Sequence, residues 1–168
     1  EWLPQETIVF AGAQAQSHTC VELTGAAGFI GWEILCLGRP AAGEIYTRGE
    51  FVQRFEIWRD GAPLWWERNA LAGGAPALNA PWGLAGQSVV ASMVVVGRAP
   101  SALPALRELL NAEQDEGEFS VSQLREVLVC RYLGNSAEQA RAGFIAAWRL
   151  LRPALWGVAA VPPRIWAT

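Results

Sequence analysis

The sequence predicts a mainly β fold with a small helical part toward the C-terminus, and three observations carry that prediction. Residues 6–97 hold short runs that alternate or are β-branched, broken repeatedly by glycine turns. The dipeptide Asp60-Gly61, a strong hairpin signal, sits between two such runs. Helical periodicity starts only near residue 101, where serines and prolines mark its limits.

Each element follows from its own residues. ETIVF (6–10) reads as a first strand. AQAQSHTCVEL (13–23) alternates, with Ala13, Ala15, Ser17, Thr19, Val21 and Leu23 on one face. Gln14, Gln16, His18, Cys20 and Glu22 take the other face. TGAAG (24–28) is a turn. GFIGWEILCLGRP (28–40) is apolar enough for a strand covered on both sides, yet Glu33 stands in its middle. A buried, unpaired carboxylate is costly, so Glu33 is paired, faces something wet, or has work to do. FVQRFEIW and PLWWERNAL flank the RDGA turn, and SVVASMVVVG (88–97) reads as a buried strand.

A first helix is predicted from about Ser101, its N-cap candidate, through Leu106, Leu109 and Leu110, with Pro104 in its first turn. LREVLVCRYLG (124–134) returns to strand. A second helix starts at Ser136, with Gln139 three residues on as a capping box. Ala140, Phe144, Trp148 and Leu151 form its apolar stripe, and Pro153 is expected to stop it. The chain thus reads as one domain. It has a β-strand stack over 1–97, helices with an intervening strand over 101–152, and an irregular tail over 153–168.

Composition narrows the functional classes. With 168 residues and 52% hydrophobic content, the chain can bury one sizeable core. Its apolar runs are too short to span a membrane as a helix, so no membrane partner is expected. A formal charge of −3 argues against a nucleic-acid partner. Three scattered cysteines without a CxxC, and an opening without a signal-peptide pattern, fit a reducing cytoplasm.

No catalytic motif stands out. GxSxG, P-loop, HExxH and dinucleotide fingerprints are all missing, and the single histidine has no evident nucleophile. The expectation is a protein that is not an enzyme, with no catalytic residues. A local metal clip is conceivable at His18 and Cys20, which share a strand face with Glu22 at roughly 6–7 Å per pair. The plainer reading is the solvated face of a half-buried strand, because two such ligands fall short of a stable site. Nine tryptophans allow an alternative function, a Trp-rich carbohydrate- or protein-binding module. Against a shared platform, Trp65 and Trp66 are adjacent and point to opposite faces of a strand.

Several segments together resemble the urease accessory protein D (UreD, also called UreH) family in its C-terminal part. They are LPQETIVFAGA (3–13), GWEILCLGRPAAGE (31–44), RDGAPL (59–64) and GLAG (83–86). WRLLRPALWG (148–157) and VPPRIWAT (161–168) complete the set. The resemblance implies a β-helix-like stack of strands with a small two-helix part, and an N-terminal half missing from this single truncated domain. It also implies a non-catalytic scaffold that binds accessory protein F, which holds the GTPase accessory protein G, and docks on apo-urease. No cofactor is expected to be tightly bound. Nickel would be in transit, through an internal water-filled tunnel. Glu33, Arg39 and Glu44 fall in the motif WEILCLGRPAAGE, and Glu6 in QETI, so these four are the candidate binding residues. Two roles stay open for Glu33: a carboxylate lining the cation's path, or a structural ion pair with Arg39 or another arginine. His18 and Cys20 lie outside the family's motif.

Overall fold

A computed structural model describes residues 1–97, 102–112 and 117–167. Its strands are β1 (Thr7–Val9), β2 (Gln14–Leu23), β3 (Phe29–Arg39), β4 (Glu44–Ile45) and β5 (Glu50–Arg59). After them come β6 (Ala62–Ala72), β7 (Val89–Val96), β8 (Gly117–Leu124) and β9 (Val127–Gly134). The helices are the single turn α1 (Pro76–Asn79), α2 (Ala102–Ala112) and α3 (Ala137–Trp156). The mainly β class expected from the sequence is what the chain adopts, with three helices where two were expected.

The strands form two sheets. The larger runs in the order β1-β3-β7-β9-β8, with β4 paired to the end of β3, and the smaller runs β2-β5-β6. The pairs β1/β3 and β2/β5 are parallel, and the other pairs are antiparallel. One face of the large sheet carries Ile30, Trp32, Ile34, Ala91, Met93 and Val95 against α2 and α3. Its other face packs on the small sheet, because Phe29, Val94, Val96, Val127 and Val129 meet Leu23, Phe55 and Ile57. Strand β3 is therefore covered on both sides, as its near-continuous apolar run requires.

Local chemistry explains most boundaries. The β2 alternation holds: Leu23 is buried and Ser17, Thr19 and Val21 half-buried, while Gln14, Gln16, His18, Cys20 and Glu22 are exposed. Asp60 and Gly61 turn the β5–β6 hairpin with φ of 49° and 78°, the left-handed pair this tight turn needs. Helix α3 is capped by Ser136, whose hydroxyl accepts from the Gln139 N–H at 3.1 Å. The Tyr132 hydroxyl then donates to the Gln139 side-chain oxygen at 2.8 Å and accepts from the Ser136 N–H at 3.4 Å. Ala140, Phe144, Trp148 and Leu151 are all buried, as their spacing predicts.

Three expectations need amending or fall elsewhere. Pro153 does not end α3, which runs on to Trp156 and closes at Gly157 with φ of 65°. The ring removes one main-chain donor on an exposed stretch, where water can serve the freed carbonyl. Leu155 and Trp156 meanwhile pack on the core and carry the helix forward. The tail is also less irregular than expected, because Trp166 stacks near Trp32 and Trp148 at ring distances of 5.7 and 5.5 Å. The single strand read at 124–134 is the end of one strand and the whole of the next, folded at Arg125-Glu126. The N-cap candidate Ser101 lies outside the described residues.

Candidate functional site

The sheet-to-sheet core is not continuous. One apolar cluster gathers around Phe29, Phe55 and Val94, and a second around Val9, Leu35, Leu37, Tyr46 and Phe51. Between them lies a polar layer, built because each strand in turn places a polar residue at an inward position. On β3 it is Glu33, between Phe29 and Leu35. On β7 it is Ser92, paired in register with Glu33. On β5 it is Gln53, between Phe51 and Phe55, and on β2 it is Thr19. On β6, Glu67 and Asn69 stand between Trp65 and Leu71.

These side chains form one network. The Glu33 carboxylate accepts from the Thr19 hydroxyl and from the Gln53 amide. The Gln53 oxygen accepts from the Asn69 amide at 2.8 Å, and that amide also reaches Glu67 at 3.3 Å. Ser92 donates to the same Glu67 oxygen at 2.9 Å. The second Glu67 oxygen is buried without a hydrogen-bond partner. Gln53 and Ser92 are themselves buried, at 5% and 7% exposure. Two carboxylates thus share a layer between two sheets; their hydrogen-bond donors among the described residues are neutral, and Arg131, next in register to Ser92, lies with its guanidinium over the Trp65 ring at 5.5 Å.

That arrangement bears on one of the two roles left open for Glu33. Arg39 pairs with Glu44 instead, at 2.6 and 2.7 Å, and no ion pair joins Glu33 to an arginine among the described residues. Of those two roles, the structural ion pair is not formed among the described residues, and the Glu33 carboxylate is held by hydrogen bonds. The reason is geometric: Arg39 ends β3, on the exposed strand-to-loop corner where Glu44 stands opposite it in the ladder. The Ala11 N–H, the Arg39 guanidinium and its charge together hold the Glu44 carboxyl below its ordinary range. Arg39 and Glu44 belong to that corner and not to the polar layer.

The other candidates lie apart. Glu6 precedes β1 and acts on Cys36, whose thiol is pushed up by burial and then by the Glu6 charge. Because Ile8 pairs with Cys36, this group belongs to the face of β3 opposite Glu33. His18 and Cys20 point outward from β2, and His18 Nε2 lies 3.3 Å from Glu56. Partial desolvation, then Glu56 and Glu22, raise the Cys20 thiol, which disfavours the thiolate a metal would need. Among the described residues, no group of three or more His, Cys, Asp or Glu side chains is placed to hold a metal ion. No helix among them is long and apolar enough to cross a membrane.

Sequence reasoning missed Gln53, Glu67, Asn69 and Ser92. The signal was present, as a polar residue at an inward position of an otherwise apolar alternation, but only the register aligns the five strands.

Comparison with known proteins finds matches along nearly the whole chain. The family model for the UreD urease accessory protein matches residues 1–167. Urease accessory protein UreD 2 of Brucella anthropi is 49% identical over 169 residues, covering all of this chain and 61% of that protein. Urease accessory protein UreD of Pseudomonas fluorescens is 49% identical over 168 residues, covering 59% of its length. That of Dechloromonas aromatica is 45% identical over 173 residues, again covering 59%. The chain spans about three-fifths of the length of these curated relatives. With a family match over nearly every residue and relatives at this identity, the chain belongs to the UreD urease accessory protein family.

Proposed function

We propose that the full-length protein is a non-catalytic scaffold of cytoplasmic urease maturation, helping nickel reach apo-urease together with accessory proteins F and G. Family membership supports the maturation role. The observation that carries the nickel reading is the polar layer, where Glu33 and Glu67 lie between the sheets and neither forms an ion pair among the described residues. Carboxylates left uncompensated in such a place attract a divalent cation. The remaining oxygens of the layer, from Thr19, Gln53, Asn69 and Ser92, are neutral and hard. A layer without imidazole or thiolate holds a borderline cation such as nickel loosely enough to release it. Nickel is cargo on this reading, and the buried Glu67 oxygen that lacks a partner is an acceptor the layer leaves free for it.

The test is complementation with the full-length protein in cells that lack their own family member. Restored urease activity, together with co-purification of urease subunits and both accessory proteins, is the expected result. A full-length protein that folds, fails to co-purify with any of them and leaves urease inactive would contradict the proposal.

A further inference from the structure

We propose that the outer face of the three-stranded sheet is a docking surface for an acidic segment of a protein partner. This goes beyond the nickel reading and rests on the opposite face of the sheet from the polar layer. The register sets His18, Arg54 and Arg68 side by side across β2, β5 and β6. The next row is Cys20, Glu56 and Trp66. His18 and Trp58 are both satisfied by Glu56, at 3.3 and 3.1 Å. Arg54 and Arg68 are exposed, and neither forms an ion pair or hydrogen bond among the described residues. Like charges directly opposite on a sheet destabilise it, so an unrelieved arginine pair is a cost the fold does not need for its own sake.

Beside that pair stands Trp66, at 66% exposure. Arginine and tryptophan are the residues that most often anchor protein interfaces, and guanidinium groups take carboxylates in a two-pronged geometry. A partner carboxylate between Arg54 and Arg68 relieves their repulsion, while an apolar side chain two residues on covers the Trp66 ring. Glu22, Glu50 and Glu56 project from the same face. Those acids discriminate against nucleic acid and anionic lipid, whose charge is continuous, and favour a peptide with discrete carboxylates.

The experiment measures fluorescence anisotropy of the full-length protein with a labelled peptide of Glu-Ser-Val-Ser repeats, which puts glutamate and valine two residues apart on one face of the extended chain. The same peptide with glutamine for glutamate and a mixed-sequence single-stranded oligonucleotide serve as competitors. The acidic peptide is expected to bind about tenfold more tightly than its glutamine counterpart, with affinity falling as salt is added. Arg54→Gln with Arg68→Gln should weaken it about tenfold, and Trp66→Ala several-fold, with the melting temperature not lowered. Equal affinity for the two peptides would overturn the proposal, as would an oligonucleotide that binds as tightly as the acidic peptide. So would a lowered melting temperature in the glutamine double variant, where no new repulsion is introduced, because the protein's own chain would then already use these arginines.

Discussion

Glu33 is the residue on which the account turns, and its partners make a sharp stability prediction. Glutamine in its place keeps an oxygen for the Gln53 amide, and the Thr19 hydroxyl can rotate to accept from the new amide group. Glu33→Gln should therefore cost about 1 kcal/mol or less in thermal melts, where an ion-paired carboxylate would cost about 3–5 kcal/mol. Glu33→Leu leaves Thr19 and Gln53 without their acceptor and should cost about 1–3 kcal/mol more than glutamine does. A glutamine variant that melts like the leucine one would remove the network from the explanation. Glu44 makes a different prediction, in pH. Its folded pKa lies below the ordinary value of 4.5, through the Ala11 N–H and Arg39. Its contribution is therefore fully present above that value and is lost as pH falls through the lower, folded one. The gap in melting temperature between the wild type and Glu44→Gln should be open at about pH 6 and narrow as the pH falls below the ordinary carboxylate range. A gap that widens on acidification would contradict the assignment.

Elements show where sequence and physics part company. Gly143 of helix α3 faces the Phe119 ring of β8, which an added Cβ would strike. Gly143→Ala should cost about 1–3 kcal/mol in denaturant unfolding, and pairing it with Phe119→Leu should recover part of that loss. Additive losses would mean that the helix is free to shift. Strand β2 was readable because one face is wet and the other dry. The β5–β6 hairpin was readable because Asp60-Gly61 tolerates the left-handed turn. Strand β8 was not, since Phe119 is its one buried residue and the rest of GEFSVSQL has no apolar period. The end of α3 was misread because a local rule about proline was outweighed by packing of Leu155 and Trp156. The polar layer was half readable. Glu33 stood out in its apolar run, while Gln53, Ser92 and Glu67 each looked like one more polar residue until pairing brought them together.

At the scale of the molecule, the three layers put helices on one side of the large sheet and a second sheet on the other, so the polar layer lies between the two sheets. The short edge strand β1 leaves Ile8 and Phe10 exposed, at 43% and 48%, with Trp2 nearby at 47%. An apolar edge of this kind pairs with other chains. Residues 1–168 expressed alone should self-associate, visible by size exclusion with light scattering, and a monodisperse monomer would contradict this. The relatives, of which this chain covers about three-fifths, have further residues with which to cover such an edge. The measurement that bears most directly on the central claim is the nickel content of urease matured in cells by the full-length protein. Glu33→Gln combined with Glu67→Gln removes both charges from the layer while keeping its hydrogen-bonding shapes. The account predicts that urease then carries several-fold less nickel, although the variant still folds and co-purifies with urease and its accessory proteins. Urease loaded with nickel to the wild-type level by that double variant would contradict it.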